Sequence, residues 1–202
     1  MIDTVVWDLG AVVIDWDPRY LYRTLLPDDQ AVEAFLEDVC TPAWHHRHDE
    51  GRPMAEGVAE LVAAFPDRAE LIQAYLDRWD DMFAGEIEGS ADLVGELDAA
   101  GVPQFGLTNW PAEMFPRALE RFPVLRTLRG VVVSGEEGVA KPSAEVFQRV
   151  LDRFRLEAPS CLFVDDAERN VAAAAELGFA VERFTTPEAF RARLVHEGLL
   201  PG

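Results

Sequence analysis

Thr4-Val5-Val6-Trp7-Asp8-Leu9-Gly10, near the start of the chain, runs through β-branched and aromatic residues to a carboxylate and a glycine. Its composition predicts a strand. No polar residue alternates within it, so the strand suits a sheet covered on both faces. Asp8 closes the run and is poised to project into a crevice. The ordinary alternative is an aspartate that only helps the chain to turn.

Similar apolar runs follow. Pro103-Gln104-Phe105-Gly106-Leu107 leads to Thr108-Asn109, Gly130-Val131-Val132-Val133 to Ser134, and Cys161-Leu162-Phe163-Val164 to Asp165-Asp166; Phe179-Ala180-Val181 is the last. Helical patterns separate them. Ser90 is placed to cap a run from Ala91 to Ala100, stopped by Gly101. Ser143 begins another, with Val146, Phe147, Val150 and Leu151 on one face. Glu168 to Leu177 stops at Gly178, and Pro187 opens a final helix. This alternation predicts an α/β fold, a Rossmann-like parallel sheet with helices on both faces. Such sheets bind ligands beyond the carboxyl ends of their strands. Asp8, Thr108, Ser134 and Asp165-Asp166 are therefore expected along one edge of one sheet.

From about Asp15 to Glu86 the alternation stops. The segment reads as helices throughout, over Tyr20 to Leu26, Asp28 to Val39, Ala55 to Phe65 and Arg68 to Phe83, with no strand signal. A helical block between the first two strands predicts a small all-helical cap domain over 15–86. The core domain is then 1–14 and 87–202.

The 202 residues, 49% hydrophobic and 27% charged, have the mix of a folded globular protein. A chain this long buries roughly 70% of its unfolded surface and needs no disulfide. Cys40 and Cys161 stand in no metal or redox spacing, which predicts two reduced thiols. Met1-Ile2-Asp3 enters the first strand without a basic leader, and no apolar run nears the ~20 residues of a membrane span. A cytoplasmic protein is expected. The net charge of −19, from 37 acidic and 18 basic residues, leaves no basic stripe for nucleic acid and disfavours an acidic membrane surface. A small anionic substrate stays open, because salt screens the distant negative field beyond ~10 Å.

Three further groups can carry chemistry. Thr108 and the amides after it can donate to a phosphoryl oxygen, or simply enter a helix. Lys141, in Ala140-Lys141-Pro142, can reach a phosphate as a point charge, or sit in solvent. Asp165-Asp166 is the strongest local signal, since two charges ~4 Å apart repel by about 4 kcal/mol at an effective dielectric near 20. A hard divalent cation resolves that, and Mg²⁺ suits one or two carboxylates, water and a phosphate oxygen. Protonation of one carboxylate, or pairing with Lys141, resolves it as well.

Read together, Val6-Trp7-Asp8-Leu9-Gly10, Gly106-Leu107-Thr108-Asn109, Ala140-Lys141-Pro142 and Phe163-Val164-Asp165-Asp166-Ala167-Glu168-Arg169-Asn170 resemble the four ordered motifs of the haloacid dehalogenase-like superfamily. The insert after the first motif resembles that family's helical cap. The resemblance implies a phosphoric monoester hydrolase acting on a small phosphorylated metabolite, with a sugar phosphate suggested by the Asp-Leu-Gly opening. Asp8 would attack phosphorus and form an aspartyl-phosphate, which water cleaves. Mg²⁺ would be held by Asp8, the Gly10 carbonyl and Asp166, with Asp165 as a neighbouring ligand through water. Thr108 and Lys141 would hold the phosphoryl oxygens, with Asn109 and Asn170 beside them.

Gly10 departs from the pattern. Most phosphatases of the superfamily carry a second aspartate there as general acid and base, worth about 10²–10⁴-fold in rate. Asp15, or Asp49 from the cap, could substitute. Thr41 to Arg52 also holds three of the four histidines. Neighbouring histidines on a helix point apart, which disfavours a metal tract. A polar lid is expected instead, with Trp44, His48, Asp49 or Arg52 touching the leaving group; solvated surface is the plain alternative. Trp110 is expected to pack. Two other functions share the fold. A 2-haloacid dehalogenase uses an aspartate nucleophile without metal, but tends to carry serine and asparagine where this chain has Asp165-Asp166. A non-catalytic binding protein has only Gly10 in its favour.

Overall fold

Residues 4–7 form β1 (Thr4–Trp7), buried throughout, in a computed structural model that describes residues 1–202. The chain then turns sharply. Leu9 O accepts from the amides of Val13 (2.9 Å) and Ile14 (2.8 Å), and Ala11 takes a left-handed φ of 59°. A residue with a Cβ pays about 1–2 kcal/mol there. The Ala11 amide, donating to Ile14 O at 2.9 Å, helps to hold it.

This turn feeds β2 (Ile14–Trp16) and then α1 (Pro18–Tyr22), α2 (Asp29–Asp38), α3 (Pro42–Asp49), α4 (Met54–Ala64) and α5 (Ala69–Asp77). A 3₁₀ turn over Trp79–Met82 leads to β3 (Phe83–Glu86), which pairs antiparallel with β2. The expectation of helices throughout this segment is corrected. Strands of three and four residues are too short to show a period, and Gly85 interrupts the second.

The rest alternates as expected: α6 (Ser90–Ala99), β4 (Gln104–Thr108), α7 (Phe115–Arg121), β5 (Val131–Val133), α8 (Ser134–Glu137), α9 (Ala144–Phe154), β6 (Cys161–Asp165), α10 (Glu168–Glu176), β7 (Ala180–Arg183) and α11 (Pro187–His196). The five-stranded sheet has the order β5-β4-β1-β6-β7, every pair parallel. Ser90 is not the cap of α6. Gly89, with φ 85°, precedes the helix, and the buried Ser90 hydroxyl has no partner.

Alternate residues of β1 serve opposite faces, as the strand period requires. Val6 joins a cluster with Phe147, Val150 and Phe163, whereas Val5 and Trp7 join a larger one. That larger cluster continues into the helical segment through Leu21, Tyr22, Phe35, Tyr75 and Trp79. Both cysteines are free and buried. No helix is long and apolar enough to cross a membrane.

Helix α4 packs on α3 at Gly57, where a Cβ would lie 2.2 Å from His48 Cε1 and 3.1 Å from Trp44 Nε1. Both rings are buried and cannot swing clear. Alanine ordinarily favours a helix interior by about 1 kcal/mol over glycine. Gly57→Ala is nevertheless expected to destabilise the protein by about 1–3 kcal/mol through overpacking. The check is the urea midpoint, which should fall at an unchanged m value. A midpoint equal to or above wild type would mean that the two helices can part freely.

Candidate active site

Parallel register sets the carboxyl ends of β4, β1 and β6 side by side, with Trp7 opposite both Gly106 and Val164. One residue further on stand Asp8 and Asp165, the first 8% exposed and the second wholly buried. Lys141 enters from the loop before α9 and is 1% exposed, so it is no solvated loop lysine. Its Nζ lies 2.8 Å from Asp8 Oδ1 and 2.7 Å from Asp165 Oδ2. Asn170 Nδ2 donates to both Asp165 oxygens at 3.0 Å, and the Ala167 amide donates to Oδ1 at 2.8 Å. Pairing with Lys141 is therefore how Asp165 is accommodated. Asp166 stays exposed at the mouth.

Asn109 ties two loops together. Its Nδ2 donates to Lys141 O at 3.0 Å, and its Oδ1 accepts from the Lys141 amide at 2.8 Å. The Thr108 hydroxyl is buried without a partner. The fourth strand end behaves differently. Ser134 Oγ accepts from the Trp110 amide at 3.0 Å, so its polar group fastens a loop instead of facing the crevice. Trp110 packs as expected, stacked on Phe83 at 5.8 Å.

Three carboxylates, those of Asp8, Asp165 and Asp166, present oxygens within 4.8 Å of one another. Burial holds the Asp8 carboxyl well above the ordinary carboxylate range, Lys141 opposing and Asp165 adding to the shift. Burial also works against the Lys141 charge, but the pull of Asp8 and Asp165 outweighs it and keeps the ammonium protonated. Although Asp166 reaches solvent, the protein around its carboxyl partly desolvates it and raises it as well, and Asp165 adds to this.

Asp8, Gly10, Asn109, Lys141, Asp166 and Asn170 form one side of a cavity of about 560 Å³. Trp16, Leu36, Cys40, Tyr75 and one face of α3 form the other. A larger hollow of about 720 Å³, beside Leu25, Val62 and Leu71, lies away from these groups and gathers no reactive cluster.

From α3 the cavity receives Pro42, His45, His46 and Asp49, a spacing that marks one helical face. Asp49 was expected there. Trp44 was expected as well, and is corrected: it is 3% exposed, packs edge-on against Tyr75, and donates from Nε1 to Gly57 O at 3.3 Å. His48 is fully buried with Nδ1 2.9 Å from Arg52 O, and Arg52 pairs with Glu60, so neither reaches the cavity. Asp15 accepts from Tyr20 Oη at 2.9 Å and stands outside it too. His45 and His46 were missed, although once Asp49 faces inward the helical period carries the residues three and four before it to the same side. Burial would raise the Asp49 carboxyl, but His45 and His46 outweigh it and hold it below the ordinary range.

Comparison with known proteins agrees with this architecture. A family profile described as haloacid dehalogenase-like hydrolase matches residues 2–178. A sesquiterpene phosphatase, astK, of Aspergillus oryzae is 35% identical over 179 residues, covering 86% of this chain and 85% of that protein. Among solved structures, a predicted HAD-like family hydrolase of Porphyromonas gingivalis superposes with a TM-score of 0.72 at 21% identity, over 96% of this chain and 98% of the other. The HAD family enzyme BT-2542 of Bacteroides thetaiotaomicron, crystallised with magnesium and inorganic phosphate, gives 0.69 at 19% identity over 92% and 95%. Sequence and fold thus agree, and the chain belongs to the haloacid dehalogenase-like hydrolases, enzymes of hydrolysis.

Proposed function

We propose that the protein is a Mg²⁺-dependent phosphatase of small phosphorylated metabolites that uses Asp8 as its nucleophile. The observation that carries this reading is a buried carboxylate 2.8 Å from a buried ammonium, with two further carboxylates beside them. In this reading residues 15–86 form a cap on a core of 1–14 and 87–202, and the cavity between the two segments receives the substrate.

The donor set fits a hard divalent ion. Three carboxylates gather where one ammonium pairs with only two of them, which leaves excess negative charge on oxygens that such ions prefer. Asp8, Asp166 and the Gly10 carbonyl would hold the ion, since both Asp165 oxygens are already engaged. When bound, it neutralises charge between the nucleophile and the phosphoryl oxygens. The chain's own residues do the rest. Asp8 attacks phosphorus, Lys141 and the unpartnered Thr108 hydroxyl hold the equatorial oxygens, and Asp165 with Asn170 keeps Lys141 in place. Water then cleaves the aspartyl-phosphate.

The leaving group faces Trp16, Leu36, Cys40 and Tyr75. Those apolar side chains, set among Arg19, Glu37 and the α3 face, and the likeness to a sesquiterpene phosphatase support the ester of an apolar alcohol over the sugar phosphate suggested by the first motif. At about 560 Å³ the cavity has the size of ordinary small-ligand sites, roughly 300–1,000 Å³.

The test is phosphate release from p-nitrophenyl phosphate and from a panel of prenyl and sugar monophosphates. Removal of Mg²⁺ by a chelator is expected to lower turnover by about 100-fold or more, with recovery on adding Mg²⁺ back. Full activity in chelator, with halide released from 2-haloacids, would replace the phosphatase by a metal-free dehalogenase.

A further inference from the structure

Gly10 brings no acid to the departing oxygen, and an alkyl ester expels a strongly basic alkoxide unless that oxygen receives a proton. Few groups along the cavity can supply one. Asp8, Lys141 and Asp166 are committed to nucleophile, phosphate and metal. Burial holds the Cys40 thiol up at about 12 and raises the Tyr75 phenol well above its usual range. A guanidinium is no proton donor in catalysis, which sets aside the arginines of this wall. The exposed Glu37 of α2 and the α3 face remain, and only the α3 face sets titratable groups within 4 Å of one another.

On that face Asp49 is 6% exposed, and its Oδ1 has no hydrogen-bond partner. Two imidazoles approach it, His45 Nε2 at 3.4 Å and His46 Nδ1 at 3.8 Å. They are held differently. His45 Nδ1 lies 3.0 Å from Tyr75 Oη, and its ring stacks on Trp79 at 5.9 Å and leans on Trp16 at 5.2 Å. His46 has no such anchor. Its nitrogens stand 3.8 Å from Asp49 and 3.6 Å from Glu50, too far for hydrogen bonds, and its side chain is 38% exposed. It is the one imidazole on this wall free to turn toward a ligand.

We infer that His46 is the acid that protonates the leaving oxygen, with Asp49 as its positioning residue and His45 as the anchor of Asp49. The inference rests on the phosphatase reading. The neighbouring Asp49 carboxylate raises His46 above the ordinary imidazole range, partial burial and Arg169 of α10 opposing and Glu50, just past the end of α3, adding. The protonated form is thereby favoured near neutrality. In the first step an Asp8 oxygen bonds to phosphorus, the P–O bond to the alcohol breaks, and the His46 proton passes to the departing oxygen. In the second, neutral His46 takes a proton from the attacking water, the P–O bond to Asp8 breaks, and inorganic phosphate leaves with His46 protonated again.

Two esters test this. The p-nitrophenolate leaving group needs no proton, whereas a primary alkyl monophosphate such as octyl phosphate does. For His46→Gln, kcat/KM, which covers only the steps through release of the alcohol and not the water step common to both esters, is expected to fall about 10²- to 10³-fold further on the alkyl ester than on the aryl ester. Asp49→Asn is expected to move the alkaline limb of the alkyl kcat/KM profile to lower pH, because the imidazolium loses its neighbouring charge. Thermal midpoints check that both variants fold. Equal losses on the two esters, or an unmoved limb, overturn the inference and leave the phosphatase reading standing. A wild-type protein that releases no phosphate even from the aryl ester with Mg²⁺ present overturns both.

Discussion

Asp8→Asn is expected to lower phosphate release by about 10⁴-fold or more, the scale seen when a covalent nucleophile is removed. The amide keeps the shape of the carboxylate but cannot form the aspartyl-phosphate. Its effect on stability should run the other way. Burial raises the Asp8 carboxyl, so this group contributes stability only while protonated. That contribution is complete below the carboxyl's unfolded pKa and is lost as pH rises through the higher folded value. In metal-free buffer, Asp8→Asn should therefore match wild type in acid and exceed it near neutrality. Thermal midpoints across that range check the sign, and phosphate release checks the rate. Residual turnover within tenfold of wild type would move the nucleophile elsewhere.

Lys141→Met carries the second large expectation. Its ammonium is the partner of two buried carboxylates, at 2.8 Å and 2.7 Å, and methionine leaves both without it. Breaking a buried ion pair from one side costs about 3–5 kcal/mol. Loss of a donor to the developing phosphoryl charge costs about 10²–10³-fold in kcat. The two effects separate in the double variant Lys141→Met, Asp165→Asn. Neutralising Asp165 should restore much of the urea midpoint, whereas turnover stays low. Recovery of turnover with stability would show that Lys141 serves the fold alone.

Much of the site could be read along the chain. Asp8, Thr108, Lys141 and Asp165 each stand at the end of an apolar run or beside a helix start, and that pattern depends only on neighbours in sequence. The ribbon of β2 and β3 escaped because neither strand is long enough to display a period. The α3 face escaped for another reason. Trp44 and His48 carry the chemistry that looks functional, yet both are spent on packing and on backbone groups, while His45 and His46 take the cavity.

Patterns of residue type along the chain settled the parallel α/β sheet, because strand and helix periods are local and the strand ends of such a sheet share one edge; the resemblance to the family rested instead on four short motifs in order. Tertiary structure decided which polar atoms are free to act. Ser134 was consumed by Trp110, Asp165 by Lys141 and Asn170, and Asp15 by Tyr20. Trp110 and Lys141 reach Ser134 and Asp165 across 24 residues, a separation at which no period survives, and even Tyr20 and Asn170, five residues from their partners, are aimed by packing that residue type does not reveal.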